Sequence, residues 1–160
     1  MRNSLIIAAL FGVNFLAGCT DRPPTDQQMI QVFNRQRSTF DKLRSLACGT
    51  SKGYEIMMQP EWSRPKISER EKHSYYALLR TIGARGIQWT PTPKCIVWIE
   101  VWSVGLGGDG DYKKYRFGSP TGEPIQTVDS LEKNWRATDK IVFAQRELAG
   151  GWWLEFDHWP

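Results

Sequence analysis

The sequence is poor in the residues that build metal centres and disulfide-dense scaffolds. Its 160 residues include three cysteines and two histidines, which excludes a miniprotein held together by many disulfides. The histidines, His73 and His158, share no ligand spacing with each other or with a cysteine, so the sequence predicts no metal site and no cofactor. A nucleophile-elbow serine motif is also lacking. We therefore expect a protein that is not an enzyme.

The chain has one long hydrophobic run, which lies close to its N-terminus. Residues 5–16 are apolar except at Gly12 and Asn14. A membrane-spanning helix needs about 20 residues, whereas this length is typical of the hydrophobic region of a secretory signal peptide. The pattern excludes a polytopic membrane protein. It predicts export, which disfavours a nucleic-acid partner.

The apolar run ends in Leu16-Ala17-Gly18-Cys19, which resembles the lipobox of bacterial lipoproteins. The resemblance implies cleavage after residue 18 and acyl chains such as palmitate on Cys19, which anchor a protein firmly in a membrane. Thr20 is similar to the residue that follows the cysteine in outer-membrane lipoproteins of Gram-negative bacteria. We expect a lipid-anchored envelope protein of the outer membrane that faces the periplasm. The alternatives are an ordinary signal peptide with an incidental cysteine and a buried N-terminal helix.

These features divide the chain into three parts. The parts are a signal peptide (1–18), the lipidated cysteine with a short tether (19–24) and a single α+β domain (25–160).

Cys48 and Cys95 remain as a pair once Cys19 carries lipid. An oxidising compartment favours a disulfide between them. Such a bridge would close a loop of about 48 residues and stabilise the fold by about 4 kcal/mol in the chain-entropy model. Two buried thiols that act as small hydrophobic side chains are the alternative.

Two segments have the spacing of amphipathic helices. The first begins at a capping box formed by Thr25 and Gln28, and Gly49 supplies its stop. The second begins at a capping box formed by Ser68 and Glu71. Polar residues that cap the first turn, followed by apolar residues at helical spacing, predict a helix in each segment.

Most of the remaining chain alternates as strands do. The strand candidates are residues 54–58, 95–104, 112–117, 141–148 and 152–159. The glycine-rich turn 105–110 precedes a strand and not a helix, so it predicts a hairpin instead of a phosphate-binding loop. The sequence therefore predicts an α+β fold with two N-terminal-half helices on one face of a mostly antiparallel sheet of four to five strands.

Several short motifs beyond the lipobox resemble those of a known group of proteins. They are Ile67-Ser68-Glu69, the glycine-rich turn, Val128-Asp129-Ser130-Leu131 and Gly151-Trp152-Trp153-Leu154-Glu155-Phe156. This pattern resembles a group of small uncharacterised bacterial lipoproteins. The resemblance implies no activity, cofactor or catalytic residue.

The last strand candidate alternates tryptophans with acids. Trp153, Glu155, Asp157 and Trp159 fall on one face, and Glu100 has similar neighbours. Aromatic rings stack on the CH faces of sugars, and carboxylates accept hydroxyl protons. The predicted binding residues are Trp98, Glu100, Trp102, Trp153 and Glu155. The alternative is that the tryptophans only cover the sheet and that the acids face solvent, with basic partners on the next strand.

Together these patterns predict a protein that acts by binding. Its partners would be the membrane, through Cys19, and an envelope protein or glycan. The leading hypothesis is an inhibitor or immunity-type factor for an envelope-active enzyme, which calls for a flat or convex aromatic patch. A glycan-binding or peptidoglycan-binding lipoprotein would instead need a groove with exposed tryptophan faces. A glycan hydrolase, the third hypothesis, needs two carboxylates across a cleft.

Overall fold

The computed structural model describes residues 22–91, 95–105, 110–119, 125–132 and 139–160. The predicted signal peptide, Cys19 and residues 106–109 of the glycine-rich turn lie outside these ranges. The described elements are α1 (Asp26–Arg35), α2 (Arg37–Cys48), β1 (Tyr54–Met58), β2 (Glu61–Arg64), α3 (Glu69–Thr81), β3 (Gly86–Thr90), β4 (Ile96–Val104), β5 (Gly110–Phe117), β6 (Gln126–Thr127), β7 (Val142–Glu147) and β8 (Trp152–Trp159). None of the helices in these ranges is long and apolar enough to cross a bilayer.

The first helical segment forms two helices and not one. Its start is as predicted, because the Thr25 hydroxyl accepts from the Gln28 amide at 3.2 Å and the Gln28 side chain accepts from the Thr25 amide at 2.8 Å. Gln36, with φ −111° and ψ 24°, ends α1. The bend brings the rings of Phe33 and Phe40 into edge contact, with centroids 5.1 Å apart. The predicted helix count of two is therefore wrong, because packing and not a glycine or proline sets this break.

The strands form one eight-stranded sheet with the order β2-β1-β3-β4-β5-β8-β7-β6. Every neighbouring pair is antiparallel except β6 and β7. The five strand candidates correspond to β1, β4, β5, β7 and β8. The α+β class and the mostly antiparallel sheet are confirmed, but the count of four to five strands is wrong. Two of the three additional strands, β2 and β6, have four residues or fewer, which is too short for a clear alternating pattern.

The helices cover one face of the sheet and form the hydrophobic core against it. Phe40 of α2 packs on Tyr115 and Trp152, with ring centroids 4.6 and 5.2 Å away. On α3, Tyr75 stacks on Trp89 of β3 at 5.2 Å. All of these aromatic side chains are buried. The opposite face of the sheet is left without a covering helix among the described residues.

The predicted disulfide between Cys48 and Cys95 is confirmed. It joins the last residue of α2 to the residue before β4, with an S–S distance of 2.05 Å and a Cα–Cα distance of 5.7 Å. The bridge therefore fixes α2 to the central part of the sheet.

A bulge between Glu100 and Trp102 changes the facing of side chains in β4. After the bulge, Trp102 lies opposite Lys113 of β5, whose ammonium bonds the Asp26 carboxylate of α1 at 3.0 Å. Trp102 therefore lies on the helix-covered face and is 3% exposed. The prediction that it shares a face with Trp98 and Glu100 is wrong, because one extra residue in a strand reverses the alternation that follows.

Candidate functional site

The open face of the sheet contains a groove with a volume of about 510 Å³. Its described lining residues come mainly from β1, β3, β4, β5, β7 and β8. A volume of this size lies within the range of small-molecule sites. The groove is therefore large enough for a small polar ligand.

Two rows of side chains cross the groove, because residues in register on neighbouring antiparallel strands point to the same side. The first row contains Glu100, Lys114, Glu155 and Gln145, on β4, β5, β8 and β7. The second row contains Tyr112, Asp157 and Phe143, on β5, β8 and β7. Charged groups thus lie beside aromatic rings.

The floor of the groove is a network of paired charges. Glu155 bonds Lys114 through Oε1, at 3.1 Å, and bonds the Arg116 guanidinium through Oε2. Arg116 also donates to the Gln145 side chain and to the carbonyl of Gly118. Arg116 is 1% exposed and Glu155 4% exposed. Burial of these charges is tolerated because each has an opposite charge and further hydrogen bonds.

This network bears on the alternative stated for the acids of β8, which expected solvent-facing carboxylates with basic partners on the next strand. Glu155 and Asp157 do have basic partners on the neighbouring strand β5. They do not face solvent freely, because both residues are buried. The expectation of solvent-facing acids is therefore wrong, while their pairing with basic residues is confirmed.

Asp157 differs from Glu155 in having an unused acceptor. Its Oδ2 bonds the Lys114 ammonium, but its buried Oδ1 has no hydrogen-bond partner among the described residues. Burial raises the pKa of Asp157 above its usual value, and the Glu155 charge adds to this effect, which the Lys114 charge only partly offsets. A buried acceptor without a partner costs about 1–3 kcal/mol. Asp157 is therefore the lining residue that gains most from a donor brought by a ligand.

Lys114 bridges the two acids. Burial alone would lower the pKa of its ammonium, but the carboxylates of Asp157 and Glu155 outweigh burial and hold the pKa above its usual value. The side chain is 18% exposed. Lys114 therefore remains charged at neutral pH and presents a partly accessible cation to the groove.

Aromatic side chains flank the charged floor. Trp98 and Trp153 lie on either side of Arg116 in register, and the Arg116 guanidinium carbon is 5.5 Å from the Trp153 ring centre. At the other side, the rings of Phe143 and Trp159 meet edge to face at 5.2 Å. Trp159 is 37% exposed. The groove thus offers partly exposed ring surface beside paired charges.

The structure brings together most of the residues that sequence reasoning selected. Trp98, Glu100 and Glu155 line the groove, whereas Trp153 packs beside it on Arg116. Glu100 accepts from the Ser103 hydroxyl at 2.8 Å. Sequence reasoning missed the alternation of β5, which places Tyr112, Lys114 and Arg116 on the groove side.

The described residues include no group of three or more histidine, cysteine, aspartate or glutamate side chains placed to hold a metal ion. Comparison of the chain with models of known protein families, with curated proteins and with solved structures gave no match in any of the three.

Proposed function

We propose that the protein is a lipid-anchored binding protein of the bacterial cell envelope whose open-face groove takes a glycan. The observation that carries this proposal is the pairing of partly exposed aromatic rings with a buried, hydrogen-bonding floor. Ring faces bind the apolar side of a sugar, and fixed polar groups orient its hydroxyls. The proposal therefore assigns a role in binding both to the aromatic rings and to the charged floor of the groove.

The charge of the groove limits the classes of ligand that it can bind. Among the described lining residues, four carboxylates accompany two cations. This excess of negative charge disfavours an anionic ligand such as a phosphate. Oδ1 of Asp157 needs a hydrogen-bond donor, which a hydroxyl or amino group of a sugar supplies. A neutral or amino-bearing glycan therefore fits better than an acidic one.

The shape of the site favours a glycan over the leading hypothesis from the sequence, an inhibitor or immunity-type factor. Such a factor would present a flat or convex aromatic patch to an enzyme. Two tryptophans, Trp98 and Trp159, instead line a groove. We therefore rank a glycan-binding lipoprotein above an inhibitor.

Binding without hydrolysis is the version that the contacts support. A glycosidase needs two carboxyl groups that can reach the scissile bond. Both oxygens of Glu155 are already bonded to Lys114 and Arg116, and one oxygen of Asp157 is bonded to Lys114. These pairings leave Asp157 Oδ1 as the unbonded carboxylate oxygen of β8 among the described residues, and Glu100, on β4, already accepts from the Ser103 hydroxyl. The chemistry of the floor is therefore that of a fixed recognition surface.

The proposed place of action is the outer membrane, with the domain on the periplasmic side. This part of the proposal depends on the lipobox that ends at Cys19. Peptidoglycan lies in the same compartment, so neutral N-acetylglucosamine oligomers, which lack the carboxylates of its muramyl peptides, are the first glycan to test.

Calorimetric titration of the mature domain with N-acetylglucosamine oligomers tests the proposed function, and acidic muramyl peptides, which should bind more weakly, test the charge argument. Trp98→Ala should weaken binding by about 1–3 kcal/mol, because it removes a ring from the groove. Leu46→Ala is the control, since Leu46 is an exposed apolar residue of α2 and is not among the described residues that line the groove. Absence of glycan binding, or equal losses in the two variants, would refute the proposal.

A further inference from the structure

The bulge in β4 places Glu100 and Ser103 on the same face of the sheet. Residues three apart in a regular strand lie on opposite faces, because successive side chains alternate. After the bulge, however, Ser103 is in register with Tyr112 of β5, whose side chain lines the groove. Ser103 therefore lies on the groove side, where its hydroxyl donates to Glu100 Oε1 at 2.8 Å. The extra residue thus gives Glu100 a hydrogen-bond donor from its own strand.

Arg85, the residue before β3, bonds both sides of the bulge. Its amide donates to the Glu100 carbonyl at 2.7 Å, and its guanidinium donates to the Ser103 carbonyl at 3.0 Å and to the Ser103 hydroxyl at 3.3 Å. A chain of hydrogen bonds therefore runs from the guanidinium through the hydroxyl to the Glu100 carboxylate, and bonds in such a chain strengthen one another. Neither Arg85 nor Ser103 is among the described residues that line the groove. The two residues thus fix Glu100 without occupying the groove.

Glu100 is a carboxylate that a ligand can reach, unlike the acids of β8. Glu155 and Asp157 are buried, whereas Glu100 is partly exposed and lines the groove. Among the described residues, the Glu100 carboxylate accepts one hydrogen bond, through Oε1. Its Oε2 is therefore available to a donor from a ligand.

Lys114 offers a donor next to this acceptor. It lies on β5 in register with Glu100, and its ammonium bonds Glu155 and Asp157 on the other neighbouring strand, β8. An ammonium has three N–H donors, so one remains after these two bonds. Side chains directly opposite each other on antiparallel strands have Cβ atoms about 4.5–5.5 Å apart. A free acceptor on Glu100 and a free donor on Lys114 thus face the same small volume of the groove.

A hydroxyl group satisfies both residues at once. It can donate to Glu100 and accept from Lys114, because a hydroxyl carries one donor and two acceptor sites. An ammonium group cannot accept and is repelled by Lys114, while a carboxylate cannot donate and is repelled by Glu100. Trp98 lies two residues before Glu100 on the same face, about 7 Å away along the strand. Its ring is therefore placed to contact the same ligand.

We propose that Glu100 and Lys114 select a neutral sugar in the groove by sharing one of its hydroxyl groups, and that Ser103 and Arg85 position Glu100 for this contact. The inference rests on the glycan-binding function proposed above. It narrows the ligand to a neutral glycan that packs on Trp98. An amino-bearing glycan, which the net charge of the groove alone would admit, is disfavoured by Lys114.

Calorimetric titration with three oligomers of the same linkage tests this selection. Oligomers of glucose, N-acetylglucosamine and glucosamine differ at the second carbon of each sugar, and at about pH 6 the amine of glucosamine is protonated. The protein is the chain from residue 19 onward, which retains every residue of the described core. One of the neutral oligomers should bind at least about tenfold more tightly than the glucosamine oligomer, since a hydrogen bond to a charged group contributes about that much.

The outcomes separate this inference from the proposed function. If the glucosamine oligomer binds as tightly as both neutral oligomers, the selection by Glu100 and Lys114 is refuted and glycan binding stands. If none of the three oligomers binds, the proposed function fails and this inference fails with it.

Substitution of Glu100 locates the selection. In Glu100→Gln, the amide oxygen should remain the acceptor of the Ser103 hydroxyl, so that an NH₂ group replaces Oε2 and the ligand hydroxyl loses its acceptor. Affinity for the neutral oligomer should then fall at least about tenfold. Glu147→Gln is the matched control, because it removes the same charge from an exposed residue of β7 that is not among the described lining residues. Equal effects of the two substitutions would overturn the proposal.

Two variants of Ser103 test its positioning role. Ser103→Ala removes the bond to Oε1 and lets Glu100 turn toward an ammonium group away from Lys114, so the preference for neutral over amino-bearing oligomers should fall several-fold. Ser103→Thr keeps the hydroxyl and should keep the preference. Thermal unfolding checks that both variants are folded. A preference that is unchanged in Ser103→Ala, or lost equally in Ser103→Thr, would refute the positioning role.

Discussion

The Arg116 guanidinium bonds the Glu155 carboxylate inside the sheet, and the Trp153 ring lies against the same guanidinium, 5.5 Å from its central carbon. Arg116 is thereby held between an acid and a ring and is removed from solvent. Arg116 and Glu155 are therefore buried parts of the fold, although they lie on the groove side of the sheet.

Replacement of Arg116 should therefore destabilise the fold. Arg116→Met leaves the buried Glu155 with Lys114 as its remaining cation, and loss of one partner of a buried ion pair costs about 3–5 kcal/mol. Urea unfolding measures this change. The double variant Arg116→Met with Glu155→Gln should recover part of the loss, because the buried charge is then removed as well. A single variant as stable as the wild type would contradict the pairing.

Truncation of Trp102 should lower the stability of the fold, whereas truncation of Trp98 should mainly weaken ligand binding. Trp102→Ala should lower the free energy of unfolding by about 3–5 kcal/mol, because it opens a cavity on the helix-covered face. Trp98→Ala should affect ligand binding more than stability, since Trp98 lines the groove. Thermal unfolding, together with glycan titration, distinguishes the two effects. If Trp102→Ala left stability unchanged, the bulge in β4 would be wrongly placed.

The disulfide should make a large contribution to stability. Cys48 and Cys95 are 47 residues apart in sequence, and a closed loop of that length stabilises a fold by about 4 kcal/mol in the chain-entropy model. The variant with both cysteines changed to alanine should lose a comparable amount in urea unfolding. Wild-type protein in reducing buffer should behave like the variant, and detection of two free thiols in unreduced, denatured protein would refute the bridge.

Stability should depend on pH through Asp157. Burial and the Glu155 charge raise the pKa of Asp157 in the folded state, although the charges of Lys114 and Arg116 oppose this effect. The pKa of an aspartate in an unfolded chain is about 3.9. The folded protein thus binds more protons in this range, so the contribution of Asp157 to stability is present below the unfolded pKa and is lost as pH rises through the folded pKa. Asp157→Asn should lack this dependence. We expect the free energy of unfolding of the wild type, relative to the variant, to fall with rising pH.

The lipid anchor proposed for Cys19 can be tested by one substitution. Cys19→Ser removes the thiol that would form the thioether to diacylglycerol, so under the proposal the variant should leave the membrane fraction and incorporate no labelled fatty acid. Thr20→Ser is a control that keeps the thiol. Sedimentation of the Cys19→Ser variant with membranes, still carrying label, would show that the lipobox has been misread.

Local patterns predicted much of the fold. The capping box at Thr25, the hairpin strand β8 and the disulfide all follow from residues whose roles depend on neighbours in sequence or on compartment. The break at Gln36 and the bulge after Glu100 do not, because each is chosen by packing between distant elements. The same limit applies to the site, since the pairing of β5 with β8, which joins Lys114 to its two acids, is a long-range contact.

The last described strand of the chain, β8, lies between β5 and β7 and not at an edge. It contributes Trp152, Leu154 and Phe156 to the core, and Glu155 and Asp157 to the groove. Contacts between segments far apart in sequence form late, because chain closure must precede them. A chain that is synthesised from its N-terminus therefore remains an incomplete sheet until the residues of β8 are available. Because β8 contributes to both sides of the sheet, the hydrophobic core and the groove depend on the same strand.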